Sequence, residues 1–276
     1  TIKVAAQTDA HDLALDLTAQ EGADGIVASM SKMPELAPVT LTFHMAGPTN
    51  AAALDFKAGL GKIASVISGR LDLLASTADV TAKFDAPAMS LNDSIGWQSV
   101  ALDTDLKGAY TGPSGTGTLT VKGLAAGATQ IGSLDANFEG METGDQNDQL
   151  HLRALASGVR IPGSSPTLLA EAPLQLDATY APNRSNQPAT LVLSHPLIQL
   201  NAQADTKPGV KGKATLVLPD LAPLAAAGGQ KLGGHADLAT DFALPVTDGD
   251  TTTAAPYTHP RSHETGRKIA CRIFLE

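Results

Sequence analysis

Hydrophobic and polar residues alternate one for one along most of this chain. Leu13, Leu15 and Leu17 alternate with Ala14, Asp16 and Thr18, and Val39, Leu41, Phe43 and Met45 with Thr40, Thr42 and His44. Val80, Ala82 and Phe84 are set between Asp79, Thr81, Lys83 and Asp85. The same rhythm runs through Leu54-Phe56-Ala58, Val100-Leu102-Thr104-Leu106, Leu134-Ala136-Phe138, Leu150-Leu152-Ala154 and Leu174-Leu176-Ala178-Tyr180. It continues through Ile198-Leu200-Ala202, Ala214-Leu216-Leu218 and Leu238-Thr240-Phe242-Leu244. A period of two sends one set of side chains to each face of a pleated strand. Here one face is apolar and the other is Asp, Thr, Gln, Asn and Lys, which predicts an antiparallel sheet wetted on one side.

Turn signals separate the runs. Ala46-Gly47-Pro48-Thr49-Asn50, Leu91-Asn92-Asp93-Ser94, Thr111-Gly112-Pro113-Ser114-Gly115, Ala181-Pro182-Asn183-Arg184 and Lys207-Pro208-Gly209 each supply a fixed φ or tolerate a positive one. Helical patterns of about ten residues between strands, the mark of a parallel sheet, are missing. One short helix is predicted after Pro219, with Asp220 as N-cap, Pro223 early, an alanine run and Gly228-Gly229 as the stop. Residues 33–38 are a weaker echo of it. Residues 52–68 read two ways, alternating like a strand at first and then showing helical spacing at Leu60, Ile63, Ala64 and Ile67.

Composition narrows the class. The 276 residues hold 43% hydrophobic residues but only 4% aromatics, so the apolar content is Leu, Ala and Val. Enzymes of this size carry more aromatic bulk at the centre, because those side chains bury the most area each. The net charge of −9, with lysines and arginines dispersed singly almost everywhere, argues against a nucleic-acid partner, which needs a clustered basic face. A single cysteine, Cys271, excludes an intramolecular disulfide and a paired-cysteine zinc site. No stretch reaches the roughly 20 apolar residues of a membrane-spanning helix.

Domain organisation follows the pattern. Residues 1–248 form one repetitive β domain, expected to be a piece of a longer rod since the chain starts at Thr1 already in a strand. Residues 249–276 stand apart. Alternation stops near Asp250, and the stretch 261–276 holds three of the seven arginines and the cysteine. This tail is expected to be disordered or foreign to the fold, for instance a frameshifted end.

Catalytic and metal-binding spacings are absent. Gly112-Pro113-Ser114-Gly115 places its second glycine one residue too early for a nucleophile elbow, and Gly59-Leu60-Gly61-Lys62 lacks the spacing and hydroxyl of a phosphate loop. The histidines His11, His44, His151, His195, His235, His259 and His263 are isolated, which suits exposed strand or turn positions and not metal ligation. The acidic run 142–148 does not order its ligands as an EF-hand loop does. No catalytic residue, metal or cofactor is therefore expected.

What remains is the apolar face, which alternation alone allows to be either a dry sandwich core or an open curved surface able to hold acyl chains. Small residues along it, Ala19, Ala58, Ala82, Ala154 and Ala202, favour room for a ligand.

The segment from Gly212, with Leu216-Val217-Leu218-Pro219-Asp220-Leu221-Ala222-Pro223-Leu224 and a Gly-rich return to Ala236-Asp237-Leu238, resembles a unit of the TamB family of translocation and assembly module proteins. Residues 71–108, with Asp85-Ala86-Pro87-Ala88-Met89-Ser90-Leu91 and Trp97-Gln98-Ser99-Val100-Ala101-Leu102, are similar in style to other stretches of that family. The resemblance implies a β-taco, a long repetitive antiparallel sheet curled into a trough with an apolar interior. It also implies a periplasmic rod of Gram-negative bacteria, related to AsmA-like and bridge-like lipid-transfer proteins and anchored at the inner membrane by a segment outside this chain. Its expected ligands are phospholipid acyl chains. Its expected protein partner is an outer-membrane barrel met through parts outside this chain.

The family lends no specific binding residues, so the lining rests on alternation: Leu13, Leu15, Leu17, Val39, Leu41, Phe43, Val80, Phe84, Leu134, Phe138, Leu174, Leu176, Ile198, Leu200, Leu216 and Leu218. About twelve strands at a spacing of ~4.8 Å would make a rod of roughly 55 Å. The competing reading is a structural or adhesive β-repeat stalk, such as an autotransporter passenger, with a closed core and no lipid.

Overall fold

The computed structural model describes residues 1–9, 12–22, 25, 34–92, 94–110, 114–141, 149–163, 165–243 and 269–274. They form an all-β fold built on one sheet of sixteen antiparallel strands. In chain order these are β1 (Ile2–Thr8), β2 (Asp12–Glu21), β3 (Val39–Pro48), β4 (Ala52–Leu60), β5 (Ile63–Asp72), β6 (Thr77–Ser90), β7 (Ile95–Ala109) and β8 (Ser114–Ala126). They continue as β9 (Thr129–Met141), β10 (Gln149–Ser157), β11 (Leu174–Tyr180), β12 (Pro188–His195), β13 (Ile198–Asp205), β14 (Lys211–Leu218), β15 (His235–Ala243) and β16 (Ile269–Phe274). Spatial order equals chain order, and β1 and β16 are the two edges, so the sheet is not closed into a barrel. Sixteen strands at a spacing of ~4.8 Å extend about 70 Å, against the roughly 55 Å expected from twelve.

Each hairpin follows from local chemistry. Residues 52–68, ambiguous in the sequence, are β4 and the start of β5, joined at Gly61-Lys62. Gly61 takes φ 61°, at the first central position of a two-residue turn, where a type II′ turn needs a positive φ. Gly127, at φ 60°, plays the same part between β8 and β9. At the β6–β7 turn the Asn92 side-chain oxygen accepts from the Ser94 and Ile95 amides, both at 2.8 Å. The predicted helix is α1 (Ala222–Ala227). The N-cap is Leu221 and not the expected Asp220, which sits one residue earlier and accepts from the Ala222 amide at 2.9 Å; Gly228 and Gly229 end the helix. Pro34–Leu36 is one turn of 3-10 helix.

Among the described residues no second layer covers the sheet. Every substantial contact between elements joins strands adjacent in sequence. Among the described residues no large side chain is fully buried. The most enclosed apolar ones are mainly small: Ala52, Ala86, Val121, Ala156, Val159 and Ala181, with Met89. A sandwich would have sealed the inner rows to the density of a protein interior. The apolar rows are instead open, in a single curled layer.

Of residues 249–276, set apart in the sequence, the structure describes only β16, paired with β15 from His235↔Phe274 to Thr240↔Ile269. The acidic run 142–148, the Gly112-Pro113 pair, Met33, Asp93, Leu244 and the histidines at 11, 259 and 263 lie outside the described residues.

Candidate lipid groove

Residues directly opposite each other on neighbouring strands project to the same face, so the register decides whether the apolar sets merge. They do. One row crosses from Leu17 through Phe43, Phe56, Ile67, Ala82, Thr104 and Gly117 to Phe138 and Leu152. A second carries Leu41 beside Ala19 and Ala58, then Phe84 opposite Leu102, and farther on Leu176, Leu193, Leu200, Leu216 and Leu238. Leu15 and Val80 sit in a third with Met45, Leu54 and Leu106. Leu134 faces Val121 and Ala156, and Ala156 faces Leu174. Leu13 lies opposite Gly47, Val39 opposite Leu60, and Ile198 opposite His195. In β14, Leu218 lies opposite Ala236.

All sixteen lining positions read from the sequence are half-buried and lie on this one face. From β3 to β15 no charged residue stands at one of its register positions.

Curvature shows in a comparison that removes side-chain size. Ala58, Ala82, Ala136, Ala154 and Ala202, on the apolar face, are half-buried. Ala53, Ala64, Ala101 and Ala239, on the polar face, are exposed. In these central strands the methyl group meets less water on the apolar side, which agrees with a sheet curled toward that face. Glycines widen that interior: Gly69, Gly115, Gly117, Gly140 and Gly212 all occupy apolar-face positions. At Gly117 a Cβ would overlap the Phe138 ring, so the glycine seats an aromatic contributed by the next strand.

Polar groups on the inner face are few. Thr104 donates to the Ala82 carbonyl at 3.4 Å, and the Tyr180 hydroxyl approaches Gln187 Oε1 at 3.3 Å. His195 is 3% exposed. Its Nδ1 accepts from the Leu197 amide at 3.2 Å, which leaves the ring proton on Nε2 with no acceptor among the described residues.

The opposite face carries the charge. A row of polar residues runs from Asp16 through His44, Asp55, Ser68, Thr81, Asp105 and Thr116 to Glu139 and His151. His44 pairs with Asp16 at 2.6 Å, Lys83 with Asp103 at 2.8 Å, and His151 with Asp177 at 2.9 Å. Surface pairs of this kind add little stability each, but opposite charges on facing strands favour the register that keeps the other face apolar. A concavity of about 300 Å³ lined by Val66, Lys83, Asp103 and Thr118 also lies on this face, as a gap between its side chains.

The hydrogen bond from His151 holds the Asp177 carboxyl below the usual range against the opposing effect of burial, with Arg153 assisting at 3.3 Å. A carboxyl depressed in the folded state adds stability above its unfolded pKa and loses it as pH falls through the folded value. The His151→Ala variant should return Asp177 toward the ordinary value in a carboxyl-carbon NMR titration and lose stability against wild type at neutral pH but not in acid. An unmoved Asp177 titration would count against the pair.

Fold and face together define a class: a single-layer, open β trough with an apolar inside and a charged outside. No family model, curated protein or solved structure matches this chain.

Proposed function

We propose that this chain is a lipid-holding segment of a TamB-like periplasmic protein, conducting phospholipid along its apolar groove and supporting outer-membrane biogenesis and protein assembly. The observation that carries the reading is the apolar face of a sheet that no other described element covers. A Leu or Phe left in water forfeits about 1.5–3 kcal/mol of burial. The strands from β3 to β15 that bear such side chains on one face need a nonpolar occupant, and acyl chains fit a groove that runs with the sheet axis and has no charge at its register positions over that span. The single open layer also favours a groove over a stalk, which works through a closed, dry core. The motif around Pro219 supports the TamB-like assignment and, with it, a periplasmic location, an inner-membrane anchor and an outer-membrane barrel partner, both reached through parts outside this chain.

The test is lipid mass spectrometry on the chain purified without detergent. Phospholipid present in a stoichiometric amount is the expected result. A folded chain free of lipid would overturn the groove reading and leave the stalk.

A further inference from the structure

One rim of the trough displays apolar side chains instead of hiding them. The β5–β6 turn presents Leu73, 40% exposed, and Leu74, 76% exposed, and the adjacent β7–β8 turn presents Tyr110, 50% exposed. This display is built, not frayed. Asp72 Oδ1 accepts from the Leu74 and Ala75 amides at 2.9 and 2.8 Å, and the Leu73 amide donates to the Thr49 carbonyl at 2.9 Å. The Tyr110 amide donates to the Ser76 carbonyl at 3.1 Å, and its hydroxyl lies 3.5 Å from the Asp72 carbonyl oxygen. Tyr110 is thus tied to the β5–β6 turn, and that turn to the β3–β4 turn.

Immediately behind them lies a concavity of about 420 Å³ whose lining includes Arg70, Lys107, Asp72 and Asp79. Lys107 is shared at 3.9 Å between Asp79 and Asp105, while Arg70 has no ion-pair partner among the described residues. The inner face reaches the same place, because its last row, Ala52-Leu71-Ala78-Gly108, ends at these turns.

We propose that the Leu73-Leu74-Tyr110 tip docks onto the surface of a zwitterionic phospholipid bilayer and is the point where lipid passes between membrane and groove. Two leucines and a tyrosine are too small a patch for a stable protein interface, which takes about 800 Å² from each partner. They are enough to enter a headgroup layer, where a tyrosine keeps its ring in the apolar zone and its hydroxyl in the wet one. Two cations beside two carboxylates complement a headgroup carrying both signs. The net charge of −9 opposes an anionic surface.

The inference takes its choice of a lipid surface from the groove reading, and the two fail separately. Vesicle flotation with phosphatidylcholine should carry the wild-type chain, and the Leu73→Ser/Leu74→Ser/Tyr110→Ser variant should float about tenfold less. In parallel, the Leu74→Trp variant, labelled at an exposed position, should shift its emission to the blue when vesicles are added, and by more than wild type does. A wild type that stays in solution, a triple variant that floats equally well, or a Leu74→Trp emission that vesicles leave unshifted overturns the docking tip even if the groove holds lipid. Flotation by a chain purified without lipid upholds the docking tip and overturns the groove and the passage of lipid into it.

Discussion

The Leu41→Asp and Phe84→Asp variants are expected to purify folded and without phospholipid. Leu41 stands between Ala19 and Ala58, and Phe84 between Ser65 and Leu102, all on the inner face. The shorter aspartate meets no steric obstacle there, and no ladder hydrogen bond involves either side chain. The cost to the sheet is that of a poor strand former, about 1 kcal/mol. Bound lipid loses far more. It forfeits about 1.5–3 kcal/mol of apolar contact and must in addition desolvate a carboxylate, at several kcal/mol. A fall in retained lipid of about a hundredfold or more follows. Lipid mass spectrometry beside circular dichroism reads both quantities. Folded variants that keep lipid at the wild-type ratio would place the bound lipid outside this groove.

The Gly69→Val variant should break the sheet locally. Gly69 takes φ 157° between Leu54 and Val80, and a Cβ there would overlap the Asp79 carbonyl oxygen and the Val80 Cα. Backbone cannot swing aside as a side-chain end can, so β5 and β6 must separate. Strain at the left-handed φ and the overlap together cost about 3 kcal/mol or more. The consequence is confined, since the substantial contacts of each strand are with its sequence neighbours and stability is close to a sum of nearest-neighbour steps. Hydrogen exchange should show protection lost in β5 and β6 and kept in β12 to β14. Uniform loss across all strands would mean that the sheet unfolds as one cooperative unit.

Much of this architecture was readable in the residues. Runs such as Val39 to Met45 and Leu174 to Tyr180 carry an apolar period of two that only a one-sided strand satisfies, and every lining position inferred from such runs lies on the same face. The strands that escaped detection are instructive. β5 turns Ala64 and Val66 outward and Ser65 and Gly69 inward, which blurs the alternation. In β8, Gly115 and Gly117 occupy inner positions, so its apolar signal shrinks to Leu119 and Val121, and Phe138 of β9 fills the space at Gly117. The docking tip was equally silent. Leu73 and Leu74 look like ordinary apolar residues until the hydrogen bonds of Asp72 and Thr49 turn them outward.

By itself, then, the sequence determined the strand type, the polarity of the two faces and the places where the chain turns, because all three depend on residues within a few positions of each other. Whether the apolar faces meet as a dry sandwich or line up in one open trough was decided only by the tertiary structure. That choice rests on register between strands and on the curl of the whole sheet. A shift of one residue in any single pairing would turn a strand's apolar set to the outside.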